Sequence, residues 1–245
     1  MTMIEINELK EKIRFEVDDF DSFGVTTFAV LREFQKVSTK HAEILGLGFH
    51  KMIEKKLLWV TMRIKFEIVR QPKENESLEI VTYPSGKNML EYDRDYLILD
   101  ENNEIVIKGT SKWCLIDSEK RRVVRLMDDL APVLLNKIPL FEGRFLKSET
   151  FEPEFLPDMS YLISQDDIDN NNHTNNTIYA KIVDKLLKGE NKKISFCQIN
   201  FLKETRLRDR LDMFKKNAEN KLEILGKICE GEVSFSAHID FAKSK

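Results

Sequence analysis

The chain has 245 residues, 42% of them hydrophobic and 33% charged, which is ordinary globular composition with ample material for a core, since disorder needs few apolar residues together with a high net charge. Its 42 acidic and 39 basic residues leave a formal net charge of −3, so no overall field draws it to nucleic acid or anionic lipid, and a charged partner must be met by a local patch. At about 150 residues per domain, the length fits neither one domain nor two.

The first 17 residues alternate charge with aliphatics and lack the apolar core of a signal peptide. No run approaches the roughly 18 apolar residues of a membrane span, so a soluble, unexported, cytoplasmic protein is expected. Thr26 or Thr27 can cap a helix in which Val30, Leu31, Phe34, Val37, His41 and Leu45 recur at spacings of three and four, ending at Gly46. Runs rich in β-branched and aromatic residues follow at 57–69, 77–83, 89–99 and 104–116 and read as strands, with a hairpin turn at Asp100 to Asn103. Residues 137–157, with Pro139, Pro153 and Pro157, read as a connector. A second helix begins near Asn175, carries Tyr179, Ile182, Val183 and Leu186 on one face, and stops at Gly189; strands at 194–205, 210–214, 221–228 and 232–241 follow it.

Helix then strands, twice, predicts an α+β protein with two antiparallel sheets, each with a helix packed on it. Local matches support a repeat. Asp19-Phe20-Asp21 matches Asp167-Ile168-Asp169 at an offset of 148, and Ile64-Lys65-Phe66 matches Ile199-Asn200-Phe201 at an offset of 135. A degenerate tandem duplication is expected, with repeats at 1–140 and 141–245. Cys114, Cys197 and Cys229 are odd in number and widely spaced, which argues against a disulfide framework or zinc knuckle and for a reducing compartment.

The most unusual stretch is Asp166 to Asn176, DDIDNNNHTNN. A low-complexity polar loop is its plainest reading. Asp167, Asp169 and Asn171 have the first spacings of a calcium loop, but Asn172 stands where the turn glycine is needed and Ile178 where a bidentate Glu is needed, so no metal is expected. In the third reading His173, Asn171 and Asp169 sit where a loop enters a helix N-terminus, and unpaired N–H groups there favour developing negative charge on a carbonyl. Under the 148-residue offset Phe23 stands opposite Asn171 and Val25 opposite His173. One half keeps polar chemistry that the other lacks, as expected if one repeat catalyses and the other shapes a pocket, and as simple drift would also produce.

This stretch resembles the motif of plant and bacterial acyl-acyl carrier protein thioesterases, approximately Asp-Leu-Asp-Val-Asn-Gln-His-Val-Asn-Asn, which Asp167 to Asn176 follow. Lys56-Leu57-Leu58-Trp59-Val60 is similar to that family's Lys-Asn-Leu-Ile-Trp-Val, and Ser85-Gly86-Lys87-Asn88 to its Ser-Gly-Lys-Asn. The resemblance runs from about Phe15 to the end. It implies a tandem double hotdog, each half an antiparallel sheet wrapped round a long helix, and hydrolysis of fatty acyl thioesters of acyl carrier protein. It implies Asp169, Asn171, His173 and Glu204 as catalytic residues. Thr205 stands where plant members carry Cys, which puts a Cys–His mechanism in doubt, and Cys197 is no positional substitute.

Thioesters are activated acyl donors, so an oriented water, a base and oxyanion stabilisation suffice. The expectation is that Glu204, aided by His173, activates water, while Asn171 and helix-terminal N–H groups polarise the carbonyl and Asp169 orients the loop. Direct attack by Glu204 to form an anhydride stays open. Trp59 could line the acyl tunnel, and Asn175 is a further substrate-binding candidate. Arg206 and Arg208, with Lys203 and Arg210, form a basic patch for an acidic carrier; Lys120, Arg121, Arg122 and Arg125 form another. No cofactor is expected beyond the phosphopantetheine on the carrier. His41 reads as a satisfied core histidine and His238 as solvated. Homodimerisation through a sheet edge stays open. The rivals are an acyl-CoA thioesterase and a non-catalytic acyl-chain binding hotdog module.

Overall fold

Thr26 caps the first helix as its sequence suggests, its Oγ1 accepting the N–H of Ala29 at 3.2 Å. In the computed structural model, which describes residues 7–125, 137–147, 151, 156–169, 172–228 and 231–243, the elements in chain order are β1 (Leu9–Ile13), β2 (Phe20–Asp21), β3 (Gly24–Val25), α1 (Thr27–Ile44), α2 (Phe49–Glu54), β4 (Leu57–Ile68), β5 (Leu78–Lys87), β6 (Glu91–Leu99), β7 (Ile105–Asp117) and β8 (Val123–Val124). After them come β9 (Met159–Leu162), α3 (Asn176–Leu187), β10 (Ile194–Phe201), β11 (Arg210–Ala218), β12 (Lys221–Ile228) and β13 (Val233–Phe241). Two units form, one from Met1–Val17 with Arg32–Arg144 and the other from Asp18–Leu31 with Phe145–Lys245. The repeats read as 1–140 and 141–245 differ from these units by four residues at the junction and, chiefly, at Asp18–Leu31. The reason is local: the Asp184 carboxylate of α3 accepts the N–H groups of Thr27 and Phe28 at 2.9 and 2.8 Å. Burial pushes Asp184 up to about 6.

In the first unit the antiparallel order is β1-β5-β6-β7-β4, with β8 on β7. In the second it is β10-β13-β12-β11-β9. Read from the strand that precedes each helix, both orders are the same, which is the topology a tandem duplication requires. The short edge strands β1 and β9 escape the sequence pattern. Lys10, Glu11 and Lys12 break the apolar run of β1, a composition suited to an exposed edge.

Each helix is fixed to its sheet by aromatic rings. Phe34 stacks on Tyr96 with centroids 4.2 Å apart and meets the edge of Phe66. The close approach needs Gly109, where a Cβ would lie 2.3 Å from the Phe34 ring. His41 is fully buried and receives a hydrogen bond on Nδ1 from Arg94 at 2.9 Å, the satisfied core histidine expected. In the second unit Tyr179 of α3 packs on Phe201 and Phe235 at 5.6 and 5.1 Å.

The other face of the second sheet is polar yet covered. Gln198 pairs both ways with the Leu146 backbone, accepting its N–H and donating to its carbonyl at 2.9 Å each, and donates to Asn200, which donates to Ser236. The expectation that His238 is solvated therefore fails. β13 is central, paired on both sides, and His238 is buried between Glu223 and Asp240. Burial alone would lower its pKa, but the two carboxylates outweigh that and raise it.

Candidate active site

The unusual loop is anchored at its start. Ser164 and Asp167 form a capping box around a short 3-10 turn, Gln165–Asp167. The Asp167 carboxylate accepts the Ser164 N–H and hydroxyl at 2.8 Å and the Tyr161 hydroxyl at 3.1 Å. Burial and this carboxylate push Tyr161 up to about 12. A bridge between Ile168 and Thr174 closes the loop. Inside it the Asp169 N–H donates to the His173 carbonyl at 2.8 Å, and the Asp169 carboxylate accepts the His173 N–H at 3.2 Å. Asn172 adopts φ 60°, which an asparagine tolerates. Asp169 thus holds the backbone of His173. Asn171 lies outside the described residues.

Glu204 arrives from the opposite side. After Phe201 the chain leaves β10, with the N–H groups of Leu202 and Lys203 both donating to the Ser234 carbonyl at 2.8 and 2.9 Å. One residue beyond Glu204, the Thr205 carbonyl accepts both the N–H and the hydroxyl of Thr174, at 2.9 and 3.1 Å. This double contact sets the two loops side by side. His173 Nε2 then stands 3.2 Å from Glu204 Oε2, and the two side chains are 16% and 40% exposed, so water and a substrate can reach both. An imidazole paired with a carboxylate at this distance can hold and deprotonate a water molecule.

The remaining sequence candidates fall out differently. Asn175 is the N-cap of α3, its amide oxygen accepting the N–H and hydroxyl of Thr177 at 3.0 and 2.9 Å. Ile178 N–H is likewise taken, by the Asn175 carbonyl, so the expected set of helix-terminal donors shrinks toward Asn176. Trp59 belongs to the first unit, where its ring meets Tyr92 edge-on at 5.2 Å and packs against Met52, Leu57 and Leu115. In the basic patch, Lys203 pairs with Glu232 and Arg210 with Asp212. Arg206 and Arg208 are exposed with no ion pair among the described residues, so they carry the patch's uncompensated charge. Cys197 is fully buried, and burial pushes its thiol well up, which suits a core residue and no nucleophile.

The internal alignment shifts as well. In the first loop Phe20 pairs with Val25 and Asp21 with Gly24, while in the second Ile168 pairs with Thr174 and Asp169 holds His173. The second loop is one residue longer, so His173 corresponds to Gly24 and not to Val25. On the following strands, the N–H groups of Val69 and Arg70 share the Val106 carbonyl as those of Leu202 and Lys203 share that of Ser234. Glu204 therefore corresponds to Gln71, and the tripeptide match at offset 135 is displaced by one pleat. Sequence reasoning gave Asp167, Thr174, Tyr179 and Ser234 no role around the site. Only Asp167 carried a signal, the Ser-x-x-Asp spacing of a capping box.

Residues 7–134 match the family model of the acyl-ACP thioesterase N-terminal domain, and residues 157–243 that of its C-terminal domain. Among curated relatives, an acyl-[acyl-carrier-protein] hydrolase of Cuphea viscosissima is 32% identical over 44% of this chain and 29% of its own length. An oleoyl-acyl carrier protein thioesterase of Coriandrum sativum is 29% identical over 67% of this chain and 49% of its own. The matches thus span half or less of these relatives. Among solved structures, an acyl-ACP thioesterase from Bacteroides thetaiotaomicron superposes with a TM-score of 0.86 at 19% identity, covering 99% of this chain and 100% of that one. A 12:0-ACP thioesterase from Umbellularia californica superposes with 0.86 at 18% identity over 97% and 98%. These two likenesses bear on the fold, which is the hotdog arrangement expected.

Proposed function

Because the chain belongs to the acyl-ACP thioesterase family, we propose that it hydrolyses the thioester of fatty acyl-acyl carrier protein, releasing free fatty acid and ending chain elongation. The observation that carries this reading is the 3.2 Å pairing of His173 with Glu204 in a solvent-reachable loop cluster. Glu204, assisted by His173, takes a proton from water as the water attacks the carbonyl carbon. The developing oxyanion is held by the Asn171 amide and by the N–H of Asn176 at the positive end of α3. Glu204 passes that proton to His173 across the 3.2 Å contact; as the tetrahedral intermediate collapses, the C–S bond breaks and the phosphopantetheine thiolate leaves, taking the proton from the imidazolium, so both side chains return to their starting state. Asp169 keeps His173 in place through its backbone, and Trp59 contributes to the acyl pocket of the first repeat. No cofactor is required, and a reducing, cytoplasmic setting suits the free thiols.

An acidic carrier meets the exposed guanidinium groups of Arg206 and Arg208, two and four residues beyond Glu204. Reversing both charges raises KM for carrier-bound substrate roughly tenfold and leaves a small thioester unaffected; equal effects on the two substrates would remove the docking role. Paired assays with one acyl chain on acyl carrier protein and on coenzyme A test the substrate class. Higher kcat/KM on the carrier protein is the expected result. A preference for coenzyme A would make the protein an acyl-CoA thioesterase, and tight acyl binding without thiol release would make it a binding module.

A further inference from the structure

Glu204 lies in an irregular segment, where regular hydrogen bonding cannot fix its side chain, yet beneath it runs a continuous buried chain of hydroxyl groups. Thr205 is fully buried. Its Oγ1 donates to Thr174 Oγ1 at 2.7 Å, and Thr174 Oγ1 donates to the Thr205 carbonyl at 3.1 Å. Because the single Thr205 proton is used, the hydroxyl of Tyr179, 2.9 Å away, must donate to Thr205 Oγ1. On the other flank of Glu204, Ser234 Oγ donates to the Lys203 carbonyl at 2.8 Å. Each of the three hydroxyls, Thr174, Thr205 and Tyr179, has a defined direction, and Tyr179 ties their chain to α3, while Ser234 separately ties the Lys203 carbonyl to β13.

We infer that Thr205 is a positioning residue for thioester hydrolysis: through Thr174 and Tyr179 it holds the loop of His173 and the loop of Glu204 in the register that brings imidazole and carboxylate together. This rests on the catalytic reading of that pair. Thr205 joins the two loops at a residue adjacent to each, Thr174 following His173 and Thr205 following Glu204, so a slip there moves the pair directly. Val has nearly the shape of Thr but neither donates nor accepts, and Ser keeps the hydroxyl. A buried donor left without its acceptor moves toward another partner, and a displacement of about 1 Å at a reacting pair can cost 10²-fold in rate.

The experiment measures thiol release from acyl carrier protein thioesters, with melting temperature, for the full chain and for Thr205→Val, Thr205→Ser, Glu204→Gln and the Glu204→Gln/Thr205→Val double variant. Thr205→Val should lose roughly 10- to 100-fold in kcat with KM little changed, and Thr205→Ser should regain most of it. In the Glu204→Gln background the Val substitution should cost nothing further, since it acts only through that carboxylate. Parent-like kcat for Thr205→Val beside an inactive Glu204→Gln would overturn the positioning role alone. That role falls equally if Ser fails to rescue, or if the Val cost persists without Glu204, as general destabilisation would make it. Parent-like turnover of Glu204→Gln itself would instead overturn the catalytic reading, and the positioning role with it.

Discussion

Two loops of the second unit lead into helices and are built on one plan, yet only one of them sets an imidazole beside a carboxylate. Both open on a buried aspartate whose carbonyl accepts the N–H of the helix cap: Asp19 from Thr26 at 2.9 Å and Asp167 from Asn175 at 2.8 Å. Both place a second aspartate two residues on that holds the loop's backbone, Asp21 on Phe23 and Gly24, Asp169 on His173. The first loop closes tightly on Gly24, whose φ of 141° lies where side chains are strained. The second gains one residue and closes on His173. One inserted residue thus relaxes the turn enough to admit an imidazole, and the matching strand exit offers Glu204 where the first repeat has Gln71. The two loops thus differ by one residue of turn length and by one charge at the matching strand exit.

The largest effect expected from this comparison is on turnover. Making the second loop like the first, by His173→Gly or Glu204→Gln, should lower kcat by about 10²–10⁴, whereas Gln71→Glu in the first repeat should leave it unchanged; steady-state kinetics decide. Next in size is the helix start of the first loop, which borrows Asp184 where the second uses its own Asn175. Asp184→Ala strips the acceptor from two part-buried N–H groups and should cost about 2–4 kcal/mol in chemical denaturation. Gly24→Ala should cost about 1–2 kcal/mol through backbone strain, with His173 needing no such glycine. Asn175→Ala removes a single cap and should cost about 1 kcal/mol.

The pH dependence of the borrowed cap has a definite sign. Between about pH 4 and 6 the folded chain retains the Asp184 proton after the unfolded chain has released it. Stability therefore falls as pH rises through that window, by about 3 kcal/mol at most, relative to Asp184→Asn. Denaturation midpoints of the two proteins across the window should diverge in that direction.

Much of this is legible in the residues. The long strands and the helices α1 and α3 announce themselves through apolar periodicity, whereas the six-residue α2 is too short to do so, and the Asp-x-Asn-x-His spacing with Glu204 locates three described residues, two of which the fold brings to ion-pair distance. What escapes has physical causes. β1 and β9 are short edge strands, five and four residues long, and β1 is charged as well, so their pattern is weak. His238 looks solvated because alternation cannot reveal that β13 is paired on both sides and that Glu223 and Asp240 flank the ring. The one-residue difference between the loops is invisible to a fixed offset, and the hydroxyl chain of Thr174, Thr205 and Tyr179 spans residues far apart in sequence, joined only by folding. Thr205, standing where plant members carry Cys, is a buried link in its own right.

What makes the second loop a hydrolytic site, on this account, is the His173–Glu204 pair. The most direct test is single-turnover release of free thiol from a medium- or long-chain acyl carrier protein thioester, comparing the parent chain with Glu204→Gln at matched folded fraction. Loss of at least about 10²-fold in the rate of the chemical step with retained acyl carrier protein binding is the predicted result. An unchanged rate in the Gln variant, or no thiol release by the parent chain on any acyl chain length, would contradict it.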